Sequence, residues 1–362
     1  MVQDSGESAN LDMLRATAVL CVFFHHLKET WITGTTGDLS WHFGQLGVLM
    51  FFVHTSLVLM FSMERLRLNG SALVTAFYIR RWFRIYPLSM FCVLCTYCWL
   101  PWMPGGGKWI AADLWTNLTL TQNLFHRTNI INVFWTLPLE VQMYIFLPFL
   151  FFFCEKRSVA YLAGFWFASI ALAILQSKLT PRLNVFSYVP CFLGGVIAWR
   201  LIRQFETRRF SGWLWPIGMA ASTSIWMTST LAHDMVYRWL FGIGLGLTIP
   251  WFRELSWKPL NIFSHVIAKY SYGTYLSHPV AMLFSFSRLQ SYHPEVRCGC
   301  FIALAIGVPL AMYHGIESPM IRFGRNVSLR LKRTLRESGK PPRTRSAAAG
   351  TSGYPAIHLK SW

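Results

Sequence analysis

The stretch from Leu11 to Leu27 is apolar enough for lipid, yet it holds an arginine, Arg15, near its start and two histidines, His25 and His26, near its end. On a helix the eleven-residue step from Arg15 to His26 leaves the two about 20° apart in azimuth and about 16 Å apart along the axis. His25 falls about 80° from Arg15, on a different face. One face therefore carries a fixed positive charge at one depth and an imidazole at another. A guanidinium suits anionic oxygens, and an imidazole exchanges protons near neutral pH. An ionised side chain inside a membrane helix costs about 2.5–3.5 kcal/mol even on lenient insertion scales, so it faces protein or a watery cavity. The competing reading makes Arg15 a cytoplasmic topology anchor and the histidines interfacial. The pairing, taken with the residues below, favours a site.

Four further groups carry chemistry. His54 lies in the run Gly47 to Leu57 with Thr55 and Ser56 beside it; it is either a functional residue or a helix–helix hydrogen-bonding group. Arg81 and Arg84, with Arg80, sit in the run Tyr78 to Pro87, three apart and so on one helical face. Guanidinium forks suit phosphate oxygens, although such a cluster also serves as a topology anchor. Glu140 is a carboxylate in an otherwise apolar run, with Tyr144 four residues on and on the same face. A buried carboxylate without a partner is strongly destabilising, so Glu140 is expected to meet a histidine or an arginine. Tyr275 and His278 are again three apart, followed by Pro279, and His314 to Pro319 ends the apolar part of the chain with Glu317.

The elements that must position these residues follow from composition. The chain has 362 residues, is 54% hydrophobic and only 13% charged, with mean hydropathy +0.38. That excludes an ordinary soluble globular protein and fits an all-α polytopic integral membrane protein. About ten apolar spans are expected, near 12–28, 45–63, 85–101, 134–153, 159–176, 186–202, 213–230, 236–250, 267–286 and 298–316. The span 236–250, with Arg238 and three glycines, is the weakest of them. The net charge of +18 does not point to nucleic acid, because the cations fall in short clusters between apolar runs.

One set of loops carries Arg65, Arg67, Arg80, Arg81 and Arg84, then Lys156 and Arg157, then Arg200, Arg203, Arg208 and Arg209, then Arg253 and Lys258. The alternate set is sparse: Lys28, Lys108, Arg127, Lys178, Arg182, Arg288 and Arg297. The positive-inside rule places the first set, and both termini, in the cytoplasm. The first ten residues lack a basic n-region, so no cleaved signal is expected. The connection 102–132 is a candidate wall of an outward-facing site or a plain surface loop, with a short interfacial helix expected in it. It contains the glycosylation-like triplet Asn117-Leu118-Thr119. Residues 321–362 are polar and basic and are expected to be a disordered cytoplasmic tail lying on anionic lipid. Cys92, Cys95 and Cys98 recur every three residues without histidine or acid between them, so inert thiols are expected and no metal site.

The ordered series Leu14-Arg15-Ala16 through His26, Gly47 through Phe52, Arg81 through Pro87, Phe134-Trp135-Thr136 through Glu140 and Tyr144, Ser271 through His278, and Glu317-Ser318-Pro319 resembles the acyltransferase-3 family of integral membrane acyltransferases, which includes polysaccharide O-acetyltransferases. The resemblance covers roughly residues 10–325. It implies a membrane acyltransferase domain over 1–320 and a cytoplasmic acyl-CoA donor, acetyl-CoA by default, as co-substrate rather than resident cofactor. It also implies a carbohydrate or glycolipid hydroxyl as acceptor, membrane lipid as the surroundings and the bacterial inner membrane as the location. The family's Arg–ten residues–His motif falls on Arg15 and His26, and its paired arginines fall on Arg81 and Arg84. By that mapping His26 is the base, with His25 beside it, and Arg15, Arg81 and Arg84 take the donor's phosphates. Glu140, Tyr144, His278, His54 and Glu317 are candidates for orienting the base or the substrate. The chain departs from the family at Thr55-Ser56, where a Ser-Gly pair is usual, and at His54, Pro138 and Val141. The rival class is a transporter or proton-coupled carrier using the same Arg, His and Glu residues; the absence of a repeated half argues against it. A non-catalytic scaffold leaves the order of polar motifs without a cause.

Overall fold

The computed structural model describes residues 8–33, 38–99, 101, 109–180, 183–205 and 208–338. Lys108, Arg182, most of the glycine-rich run after Pro101, and everything after Ser338 lie outside the described residues. The helices in chain order are α1 (Ala9–Leu27), α2 (Asp38–Leu66), α3 (Gly70–Trp99), α4 (Ala111–Leu118), α5 (Thr136–Glu155), α6 (Val159–Leu179), α7 (Val189–Gln204), α8 (Leu214–Thr228), α9 (Met235–Thr248), α10 (Lys258–Met282), α11 (Pro294–Met312) and α12 (Ser318–Ser338). Among the described residues extended pairing is confined to one isolated bridge between Phe210 and Phe252. The protein is an all-α membrane protein, and each of the ten expected apolar spans falls on a helix.

Among the described residues, four helical stretches are long and apolar enough to cross a membrane: Trp41–Leu66, Asn132–Glu155, Val159–Leu179 and Pro294–Leu331. The shortfall against ten has a simple part: α7, α8 and α9 run only 16, 15 and 14 residues, short of the roughly 20 that an upright crossing takes. Phe149, Phe167, Ile217, Ile262 and Ile306 all stand exposed on the outside of the bundle. In water so much exposed apolar surface would be an aggregation liability; against acyl chains it is the expected exterior.

α1 is held between α2 and α10. Its start is pinned by sequence-distant groups. Ser8 caps the helix by accepting from the Leu11 amide and donates its hydroxyl to Glu254 at 2.9 Å. Asn10 donates to the Arg253 carbonyl at 2.9 Å, and Asp12 meets His265 of α10 at 2.9 Å. Contacts Asp12–His265, Arg15–Ser271 and His26–His278 ascend both chains together, so α1 and α10 run parallel. Residues from the cation-rich set of loops meet one another and nearby acids, one of them Glu254 at the α1 start. Arg203 pairs with Glu64, Arg200 donates to the Arg157 carbonyl, and Arg208 pairs with Glu254. One end of the bundle is therefore the basic end.

The weakly expected span around α9 is a real helix. Its glycines explain why: a Cβ on Gly246 would meet the Gly194 carbonyl oxygen of α7 at 2.2 Å, so the two backbones approach as only small residues allow. Arg238 is satisfied by the Ala232 and His233 carbonyls and the Tyr188 hydroxyl. The expected short helix of the outer connection is α4. The glycosylation-like reading of Asn117 is corrected, because its side chain is fully buried. Its amide donates to the Asp113 and Thr128 carbonyls and its oxygen accepts from the Ile130 amide. The tail expected to be disordered from 321 is helical as far as Ser338, as α12 packed along α3.

Three π turns interrupt regular helix: Lys28–Thr33 after α1, Leu283–Arg288 after α10 and Tyr313–Glu317 after α11. The last two follow Pro279 and Pro309 within a turn or so, where a missing amide donor loosens the ladder. The first and last place a carboxylate each, Glu29 and Glu317, a recurrent use of π turns at functional sites.

Candidate active site

Two clusters contain the residues singled out by sequence. The first is an open cavity with about 870 Å³ of empty space, part of it continuous with the outside, walled by Arg15, His54, Arg81, Arg84, Glu140 and Tyr144 together with Ser271, Tyr272 and Tyr275 of α10. Six of the ten sequence-predicted residues thus converge from α1, α2, α3 and α5, which no local pattern required. Arg15 Nε donates to Ser271 Oγ at 2.7 Å, and Ser271 in turn donates to the Ala268 carbonyl, so the guanidinium is aimed by α10. Arg84 forms an ion pair with Glu317, whose side chain is buried, and stands 5.7 Å over the Tyr272 ring. Tyr144 donates its hydroxyl to Glu140 one turn back.

The charge balance at this cavity is three arginines against two carboxylates, Glu140 and Glu317. Arg84 is matched by Glu317, which leaves Arg15 and Arg81 facing Glu140. Among the described residues, neither Arg81 Nε nor Glu317 Oε2, both buried, has a hydrogen-bond partner. Buried donors and acceptors are ordinarily satisfied, so the cavity has unused capacity for water or an anion. Net positive charge with a free guanidinium edge suits phosphate.

The second cluster sits at the other end of α1. The His25 and His26 ring centroids are 4.5 Å apart, and His26 lies 5.2 Å from the His278 ring of α10. Glu29, in the π turn, brings Oε2 to 3.3 Å from His26 Nδ1 and 3.5 Å from His25 Nε2. The His25 ring lies against Gly44 of α2, where a Cβ would meet it at 2.6 Å, so the glycine makes room for that ring. His278 is buried, with Nδ1 at 3.0 Å from the Thr274 carbonyl. A carbonyl only accepts, so Nδ1 carries the proton and Nε2 offers a lone pair; Nε2 has no partner. The ligating atoms of His25, His26 and Glu29 all lie within 4.8 Å of one another, a donor set that a transition metal could also use.

His25, His26 and His278 are not among the residues that line this cavity. Tyr275 stands between the two clusters: it lines the cavity, and its ring centroid is 6.1 Å from that of His278. Its hydroxyl donates to the Val133 carbonyl at 2.6 Å and meets Thr136 at 2.6 Å. Glu140, expected to meet a histidine or an arginine, accepts from Tyr144 and lies in the cavity with the arginines, and Glu317 pairs with Arg84. The carboxylate beside the histidines is Glu29, which sequence reasoning missed. Its signal was present, since positions three and four after His26 and His25 lie on their helical face.

A family model described as an acyltransferase domain matches residues 8–312. No curated protein and no solved structure matches the chain.

Proposed function

The chain belongs to the acyltransferase-3 family of membrane acyltransferases, and from that premise we propose that it moves an acyl group, acetyl by default, from cytoplasmic acyl-CoA to a hydroxyl of a carbohydrate or glycolipid acceptor. The observation that carries this reading is the division of labour along α1. Arg15 stands in a cavity of surplus positive charge, and His26 stands beyond it with Nδ1 facing a carboxylate. The basic end of the bundle, by the positive-inside rule, is cytoplasmic, with both termini on that side of a bacterial inner membrane. The donor's phosphates then meet Arg15, Arg81 and Arg84 from the cytoplasm, and the acceptor reaches the histidines from the outer side.

In the transfer step Glu29 accepts from His26 Nδ1–H, which leaves Nε2 as the basic nitrogen. The acceptor oxygen attacks the thioester carbonyl carbon while Nε2 takes the hydroxyl proton. The C–S bond then breaks, the ester forms, and the thiolate leaves with the proton held on His26. For the thioester to arrive there, the Tyr275 ring must swing aside or α1 and α10 must part around it. His25 and His278 flank the base, and His54, Glu140 and Tyr144 shape the donor side.

The test is transfer of radiolabelled acetyl from acetyl-CoA in membranes carrying His26→Ala or Arg15→Gln at matched expression. Loss of a general base is expected to lower the turnover rate by about 10²- to 10⁴-fold, with Arg15→Gln acting mainly on donor KM. Wild-type rates in both variants would end the assignment. Mass spectrometry of surface glycans and lipids, with and without the gene, identifies the acceptor.

A further inference from the structure

α12 lies wholly outside the residues matched by the family model, so the proposed acyl transfer does not account for it. Its sequence carries Arg322, Arg325, Arg330, Lys332, Arg333 and Arg336 against a single acid, Glu337. One face is committed to α3. A Cβ on Gly324 would meet Phe83 at 2.7 Å, Ser328 Oγ accepts from Arg80 Nε at 2.8 Å, and the Phe323 ring meets the Phe83 ring edge-on at 4.9 Å. Arg322, Arg325 and Arg330 are exposed, and between them so are Leu329, by 42%, and the part of the Phe323 ring that Phe83 does not cover, 52% of that residue.

We propose that α12 is an interfacial helix that holds the phosphate headgroups of anionic phospholipids at the basic end of the bundle. Cations alone would suit any polyanion, including the donor nucleotide. The interleaved Phe323 and Leu329 decide between them: a nucleotide would leave both in water, whereas an anionic leaflet takes the arginines at its phosphates and the two apolar side chains at its acyl boundary. None of the three exposed arginines lines the cavity that holds Arg15, Arg81 and Arg84. The helix starts one residue after Glu317, the partner of Arg84, so a docked α12 also fixes where that carboxylate stands. The inner-leaflet placement rests on the sidedness proposed above; the headgroup binding does not, and its readout is independent of acyl transfer.

The experiment uses the full chain in nanodiscs of equal phosphatidylcholine and phosphatidylglycerol, with the lipids retained after purification counted by native mass spectrometry. Wild type is expected to retain phosphatidylglycerol preferentially, and the preference is expected to fall as ionic strength rises. In the triple variant Arg322→Gln, Arg325→Gln, Arg330→Gln it should fall by at least about fivefold, the size of one lost arginine contact at an anionic surface. No preference in wild type, or an unchanged preference in a variant that inserts normally, overturns the proposal. So does a variant that keeps its phosphatidylglycerol but binds acyl-CoA more weakly, because the arginines would then serve the nucleotide.

Discussion

The two ends of α1 solve the same problem, polar chemistry inside a membrane protein, by opposite means. Around Arg15 the charges are permanent and are assembled from far apart in the chain: Arg84 and Glu317 are 233 residues apart, and Ser271 reaches Arg15 across 256. Around His26 three of the four groups come from five consecutive positions, 25 to 29, and imidazoles can be buried neutral. A permanent charge without a partner is very costly in an apolar surrounding; a neutral imidazole costs far less. The arginine end is therefore part of what holds the helices together, and on the proposed reading it is the donor end, with the histidine end free to be tuned for chemistry. Damage to the first should appear in stability and donor binding, and damage to the second in turnover.

The largest effect that could break this contrast is at Glu317. Replacing it by Ala removes a buried carboxylate and leaves the part-buried Arg84 unmatched, which is expected to cost up to about 3–5 kcal/mol of stability, read as a drop in unfolding temperature of the purified protein in detergent. Removing both partners, as Arg84→Met with Glu317→Met, should restore much of that loss, because a well-packed apolar pair of similar size is often neutral. If Glu317→Ala unfolds where wild type does, the donor end is not structural and the contrast fails.

Arg81 sharpens the contrast on the binding side. Its Nε has no hydrogen-bond partner among the described residues, so on the proposed reading Arg81→Gln removes a charged contact to the donor without breaking a bond at that nitrogen. A hydrogen bond involving a charged group is worth about 1.5–3 kcal/mol, so KM for acyl-CoA should rise about 10- to 100-fold with the turnover rate nearly unchanged. A pure loss of turnover instead would move Arg81 into the chemical step.

How far this was legible in the sequence also divides along α1. Arg15 and His26 share a helical face by arithmetic, and the helices under the ten apolar stretches follow from hydropathy, so both were readable. Pairings such as Arg84 with Glu317 had no local signal, because they depend on which helices pack together. Glu140 shows the same limit: a lone carboxylate in an apolar run announces a partner but not which one. Glu29 was missed differently, since it follows Lys28 at the end of the apolar run and reads as loop, whereas a π turn carries the helix on and returns it to the histidines. In α12 the basic composition suggested disorder. The opposing evidence was the spacing of Ile321, Gly324, Ser328 and Leu331, which makes one face smooth enough to lie on Phe83 and Arg80.

The smallest effect is the most specific. If Glu29 only holds His26 in one tautomer, Glu29→Gln should lower the turnover rate about three- to tenfold, the worth of one net hydrogen bond of about 0.5–1.5 kcal/mol, and leave donor KM and unfolding temperature unchanged. Glu29→Ala should do more, because nothing then restrains Nδ1. The pair of variants separates positioning from packing: Gln keeps the size and loses only the carboxylate's acceptor strength, so a purely structural Glu29 would tolerate it fully. An effect of Gln on donor KM would instead couple the histidine end to the arginine cavity through Tyr275, which lies between them, and the two ends of α1 would then act as one site and not two.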